Sequence, residues 1–165
     1  MALLDVVLFP DEILRTPAVP VENITKETHA LINDMVETMY DAPGVGLAAP
    51  QVGISQRIIV ADVGEENTSL LKLINPEIIE RGPKVTSEEG CLSIPGVKET
   101  VKRHESVTVK AITPDGKESI IEAEGFLAFC LQHEIDHLDG ILFIDYLSKL
   151  KKQLIKGKLN RLRKA

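Results

Sequence analysis

The chain contains no tryptophan, and aromatic residues make up only 4% of it. Proteins that hold single-stranded nucleic acid stack bases on aromatic rings, so this composition argues against that class. No apolar run approaches the roughly 20 residues a transmembrane helix needs. The opening residues, MALLDVVLFPDEILR, lack a basic start and meet an acid at Asp5. No signal peptide is expected there. There are two cysteines, Cys91 and Cys130, too few for a disulfide framework, and a reducing cytoplasm is the expected location. Two further absences matter later. The chain has four histidines in all, and no glutamate follows Glu134.

What is present is ordinary for a globular protein: 44% hydrophobic and 27% charged residues over 165 positions. That length suits one domain, 1–165, around one core. The net charge of −6 is unevenly spread. Eight basic residues and no acid fall between Lys149 and Ala165, which leaves −14 on residues 1–148. A basic tail on an acidic body fits a polyanionic partner, although cations at a helix C-terminus also favour the helix dipole.

Hydrophobic periodicity predicts a helix over Thr25–Tyr40, with Ile32, Met35, Val36 and Met39 on one stripe and Pro43-Gly44 as the stop. Arg57–Val63 reads as a buried strand, and Leu70–Ile79 as a strand interrupted by Pro76. Val85–Ile94 is extended in part. Ser106–Ile112 and Lys117–Ala123 alternate around the turn signal Pro114-Asp115-Gly116. A helix over Gly125–Leu138 is apolar nearly all round and should be central and buried. A last helix, 146–163, would place Leu147, Leu150, Leu154 and Leu162 on one face. Strands and helices do not alternate, which predicts an α+β fold with antiparallel or mixed sheets surrounding the central helix.

That helix carries His133-Glu134-Ile135-Asp136-His137. Two histidines four apart share a helix face and can converge on one divalent metal, with the glutamate beside it as a proton acceptor. A catalytic site with three protein ligands needs one more. The pattern H-E-x-x-H-x-x-G-x-x-H matches through Gly140 and then meets Phe143, which cannot ligate. A downstream Glu does not exist, and Asp139 is too close to fold back easily. The third ligand is therefore expected upstream, among Cys91, His29, His104 and several carboxylates. A thiolate is a strong ligand for zinc or iron, although a lone cysteine is more often a small buried hydrophobe.

Three segments, Gly44-Val45-Gly46-Leu47-Ala48-Ala49-Pro50-Gln51, Glu89-Gly90-Cys91-Leu92-Ser93 and Gln132-His133-Glu134-Ile135-Asp136-His137, resemble the three signature motifs of peptide deformylase, in that family's order and spacing. The flanking sequence resembles the bacterial type, including Phe9-Pro10-Asp11 and Leu14-Arg15. It departs at Val101-Lys102-Arg103, where related sequences often have proline before the arginine, which bears on local loop shape and not on chemistry. The resemblance implies Cys91, His133 and His137 as metal ligands. It implies one Fe²⁺ per chain, for which Zn²⁺, Ni²⁺ or Co²⁺ can substitute. It also implies hydrolytic removal of the formyl group from N-formylmethionyl nascent peptides, releasing formate. Glu134 would accept and return the proton, and Gln51 with the Leu92 N–H would stabilise the oxyanion.

Phe126, Phe129 and Cys130 precede His133 by seven, four and three residues, so they share its face. With Val45 and Gly46 opposite, they could wall an apolar pocket for a methionine side chain, or could be plain core. Cys130 is not expected to be a ligand, and His29 and His104 look like surface residues. The resemblance associates the C-terminal helix with ribosome contact; no membrane and no sequence-specific nucleic acid are expected as partners. Two other classes compete. A zincin-type metallopeptidase needs a downstream ligand and would cleave endopeptides. A non-catalytic metal-binding domain needs a fourth protein ligand and gives Glu134 no task.

Overall fold

A computed structural model describes residues 3–65 and 68–164. It contains three helices, α1 (Lys26–Asp41), α2 (Phe126–Leu138) and α3 (Lys149–Lys164). The strands are β1 (Gly46–Ala48), β2 (Ile58–Ala61), β3 (Leu71–Arg81), β4 (Lys84–Cys91), β5 (Ile94–His104), β6 (Ser106–Ile112) and β7 (Glu118–Glu124). Five of them form an antiparallel sheet in the order β1-β2-β3-β6-β7, and β4 and β5 form a separate antiparallel hairpin. The fold is α+β, with both sheets arranged about α2, as the element pattern predicted.

Thr25 caps α1 by accepting a hydrogen bond from the Thr28 N–H. The α1 stripe buries Ile32, Met35 and Met39 against Leu47, Ile58 and Val60. Helix α2 buries Ala128, Leu131, Ile135 and Leu138 against Val107, Val109, Ala111 and Ala123 of the sheet. Burying each such Leu or Ile contributes about 1.5–3 kcal/mol, so α2 cannot rotate without large loss. Its C-terminal carbonyls are satisfied from outside the helix: Ala18 N–H donates to Leu138 O (2.8 Å) and Arg57 Nη1 to the same oxygen (3.1 Å). Gly140 follows at φ +75°, where an added Cβ would lie 2.5 Å from the Arg15 carbonyl oxygen, so only glycine fits.

Four expectations change. Pro76 lies inside an eleven-residue strand instead of interrupting it, and the β3–β6 register shifts between Ile74 and Glu77 to accommodate it. The central strand of Arg57–Val63 is only Ile58–Ala61. Val101-Lys102-Arg103 is regular β5 strand, not loop, with Lys102 paired to Thr86 and facing outward. The last helix begins at Lys149, because Phe143–Tyr146 forms a separate 3₁₀ turn. Its buried side is Ile155 with Leu159 and Leu162, packed on Val97 and Val101 of β5. Leu150 and Leu154 are 66% and 73% exposed. The leucine spacing indicated a helix, but the position of β5 decided which side it buries.

Candidate metal centre and active site

The two histidines of α2 meet Cys91 at the end of β4. The ligand atoms of Cys91, His133 and His137 all lie within 4.8 Å of one another. Cys91 Sγ is 3.3 Å from His137 Nε2, which is 3.2 Å from His133 Nε2. Metal–nitrogen bonds of about 2.0–2.1 Å and a metal–sulfur bond of about 2.3 Å in tetrahedral geometry give donor separations of roughly 3.3–3.6 Å, so the three atoms fit one ion. Among the described residues, Cys91 is the upstream group placed to complete a set that could hold a metal. Asp139 and Asp145 are engaged elsewhere, with Arg57 and Arg15. His29 is exposed as expected, whereas His104 is half-buried, with Nδ1 2.8 Å from the Gly82 carbonyl.

Behind His133 lies a charge network that motif reading did not assign. His133 Nδ1 donates to Glu89 Oε1 at 3.0 Å, which turns Nε2 toward His137 and Cys91. Arg103 Nε and Nη2 grip the same carboxylate at 2.7 and 2.8 Å, and Nη1 donates to Asp136 Oδ2 at 2.6 Å. Tyr146 donates to that Asp136 oxygen at 2.7 Å. Phe143 stacks on the His133 ring, with centroids 6.0 Å apart. The sequence offered one hint, since Glu89 sits inside a quoted motif. Arg103 carried none, because its nearness to Glu89 comes from hairpin pairing of β4 with β5.

Burial alone would raise Glu89, but the Arg103 guanidinium and then His133 outweigh it and hold the carboxylate at about 2. His137 is driven well below its ordinary value by burial and by the charge of His133, so its imidazole is neutral. Burial also lowers His133, yet Cys91 and Glu89 outweigh it and raise it; a metal ion would displace that proton. Glu134 is raised to about 7, chiefly by burial. Its Oε1 is buried without a hydrogen-bond partner among the described residues. A Cβ on Gly46 would lie 2.5 Å from Glu134 Oε2, so glycine is required for β1 to pass over that carboxylate.

Gln51 is held at both ends of its amide. Ala48 N–H donates to Oε1 at 2.9 Å, and Nε2 donates to Ser93 Oγ at 3.3 Å and lies 3.5 Å from Cys91 Sγ. A cavity of about 480 Å³ opens over these groups. It is lined by Val45, Gly46, Gln51, Cys91, Leu92, Phe126, Phe129, Cys130, His133 and Glu134, so ten of the eleven expected site residues face one space. His137, 1% exposed, is the one that does not line it. Phe126 is 46% exposed and stands at the rim, not in the core. Burial, then the charges of Glu134 and Glu89, raise the Cys130 thiol well above its ordinary value, and it donates to Val45 O at 3.4 Å. A thiol so held is no thiolate ligand.

Comparison with known proteins agrees with this geometry. The family model described as polypeptide deformylase matches residues 3–153. The peptide deformylase of Alkalilimnicola ehrlichii is 52% identical over 163 residues, covering 98% of this chain and 92% of the relative. The crystal structure of a peptide deformylase from Legionella pneumophila matches with a TM-score of 0.93 at 48% identity, over 99% of this chain and 96% of that one. Peptide deformylase from Ehrlichia chaffeensis, solved in complex with actinonin, matches with a TM-score of 0.91 at 40% identity, over 99% and 98% of the two chains. The chain belongs to the polypeptide deformylase family.

Proposed function

We propose that this protein hydrolyses the formyl group from N-formylmethionyl nascent peptides and releases formate. The observation that carries the reading is the Cys91, His133 and His137 donor set beside the buried, unpartnered Glu134 carboxylate, at the floor of one cavity. A divalent metal held by those three residues would supply Lewis-acid polarisation and an acidified water. We assign Fe²⁺ as that metal from the family resemblance; one thiolate with two imidazoles also suits Zn²⁺, Ni²⁺ and Co²⁺.

Glu134 takes the proton from the attacking water and returns it to the leaving amine; a carboxylate near 7 is suited to both transfers at neutral pH. Gln51, its Oε1 engaged by Ala48 and its Nε2 beside Cys91, donates to the oxygen that becomes negative as the formyl carbon is attacked, exchanging its contact with Cys91 Sγ for that bond. The Leu92 N–H, next to Cys91, is the second donor. Each such donor is typically worth about 2.7–4 kcal/mol. Val45, Gly46, Phe126, Phe129 and Cys130 accept the methionine side chain. The peptide backbone pairs alongside β1 and the segment after Cys91, which leaves downstream side chains free to vary. The cavity also suits actinonin, as in the Ehrlichia chaffeensis relative.

No helix among the described residues is long and apolar enough to cross a membrane, and we assign the protein to the cytoplasm. We assign α3 to ribosome contact: its lysines supply positive charge for rRNA, and Leu150 and Leu154 are free on its surface. Removing residues 149–165 should weaken ribosome binding while sparing peptide turnover. The deciding measurement for the activity is anaerobic formate release from formyl-Met-Ala-Ser with Fe²⁺ and with Zn²⁺. Turnover that is highest with Fe²⁺ and abolished by air is expected; no turnover with either metal overturns the proposal.

A further inference from the structure

We infer that Tyr146 is a positioning residue for the metal ligand His133. The Tyr146 hydroxyl fixes Asp136, Asp136 fixes Arg103, and Arg103 fixes the Glu89 carboxylate that orients the imidazole. Every link is a direct contact: 2.7 Å from Tyr146 to Asp136, 2.6 Å from Arg103 to Asp136, 2.7 and 2.8 Å from Arg103 to Glu89, and 3.0 Å from His133 to Glu89. The Arg103 guanidinium also lies over the Tyr146 ring, 5.0 Å from its centroid, so the tyrosine touches two members of the chain at once.

The geometry makes the hydroxyl more than a surface decoration. Asp136 uses the same oxygen, Oδ2, for Tyr146 and for Arg103, so two donors converge on one acceptor and fix its torsion. Arg103 is almost fully buried, and its planar fork turns as a unit; a shift at Asp136 is therefore felt at Glu89. The turn that carries Tyr146 is itself clamped, because Arg15 makes a two-pronged ion pair with Asp145. That turn also places Phe143 against the His133 ring. Phe143–Tyr146 thus reaches His133 twice, by stacking and by a chain of charge-assisted hydrogen bonds.

This inference rests on the Cys91, His133 and His137 metal site proposed above. Tyr146→Phe removes one hydroxyl from a ring that is 48% exposed, so the variant keeps its fold. Metal-free protein is loaded with Co²⁺, and release to excess chelator is followed through the thiolate–cobalt absorption. Outer-shell partners of a metal site are typically worth 10–100-fold in affinity, and at three links' remove Y146F should release cobalt about 3–10-fold faster. KM for formyl-Met-Ala-Ser and the thermal midpoint of metal-free protein should not move. In a Glu89→Gln background, or in Asp136→Ala should E89Q hold no cobalt, Y146F should add nothing. Equal release from wild type and Y146F overturns the inference, as does the same acceleration where the chain is already cut. A lower metal-free midpoint with unchanged release marks a merely structural tyrosine and also overturns it. Wild-type protein that takes up no Co²⁺ instead overturns the metal-site reading.

Discussion

Helices α2 and α3 invite comparison, because α2 is apolar nearly all round whereas α3 is amphipathic, and the two are packed in opposite ways. Helix α2 has neighbours on nearly every side: the sheet, the β4–β5 hairpin and the Phe143–Tyr146 turn. Most of its polar residues are held by one of those neighbours. Gln132 accepts from the His104 N–H at 2.9 Å and donates to the His104 carbonyl at 2.7 Å, tying the helix to the end of β5. His133 meets Glu89, Asp136 meets Arg103 and Tyr146, and Glu134 is left unpartnered over the cavity. Among the described residues, helix α3 packs on the body through Ile155, Leu159 and Leu162, with Lys151 beside Glu99 and Thr100, while Leu150 and Leu154 face outward. Chemistry needs groups whose orientation is over-determined, whereas the docking role proposed for α3 needs groups that are free.

The largest expected effect falls on α2. Glu134→Gln should lower formate release by about 10²–10⁴-fold while metal content, measured by elemental analysis, stays at one per chain. Loss of the metal together with activity would show that Glu134 is structural and would weaken the contrast between the helices. Arg103→Gln removes one partner from a buried ion pair and should destabilise the protein by about 3–5 kcal/mol in denaturant unfolding. A change below 1 kcal/mol would mean that α2 is held by apolar packing alone.

The two carboxylates on this side should also give metal-free protein a two-sided pH dependence. Glu89, lowered from 4.5 to about 2, contributes stability that is present above pH 4.5 and lost as pH falls from there toward 2. Glu134, raised from 4.5 to about 7, has the opposite sign: the folded state keeps a proton that the unfolded chain gives up, so stability declines as pH rises from 4.5 to 7. Each limb is on the order of 3 kcal/mol, and Glu89→Gln and Glu134→Gln should each flatten their own limb in thermal midpoints measured against pH.

The smallest effect falls on α3, at Leu154, and is read against its neighbour Ile155. Ile155→Ala, at a residue 4% exposed, should cost about 2–5 kcal/mol. Leu154→Ala, one position away, should stay within about 0.5 kcal/mol. Equal costs would show that both leucine and isoleucine sides are packed and would erase the distinction between the helices.

The gathering of the candidate site residues around one cavity was largely legible in the chain. The histidine spacing, the absence of any downstream ligand and the three motifs together pointed to Cys91, His133, His137, Glu134 and Gln51. These signals are local, since each motif is a short run whose residue types carry their meaning with them. The network of Glu89, Arg103, Asp136 and Tyr146 was not legible, because it joins four separated stretches of chain and each residue by itself looks like an ordinary surface charge or ring. The buried side of α3 was misread for a related reason: its leucines and isoleucine give two competing stripes, and only contact with β5 chooses between them.

By itself, then, the sequence determined the main element types and the α+β class with antiparallel or mixed sheets, because periodicity acts over a few residues, and its motifs singled out the residues proposed to react through their resemblance to a family. The tertiary structure alone decided how those groups are oriented and charged. The pairing of β4 with β5 brings Arg103 to Glu89, burial lifts Glu134 to about 7, and the passage of β1 over α2 demands glycine at position 46. Hydrogen-bond direction, desolvation and close approach depend on what lies across space, and no spacing along the chain encodes that distance.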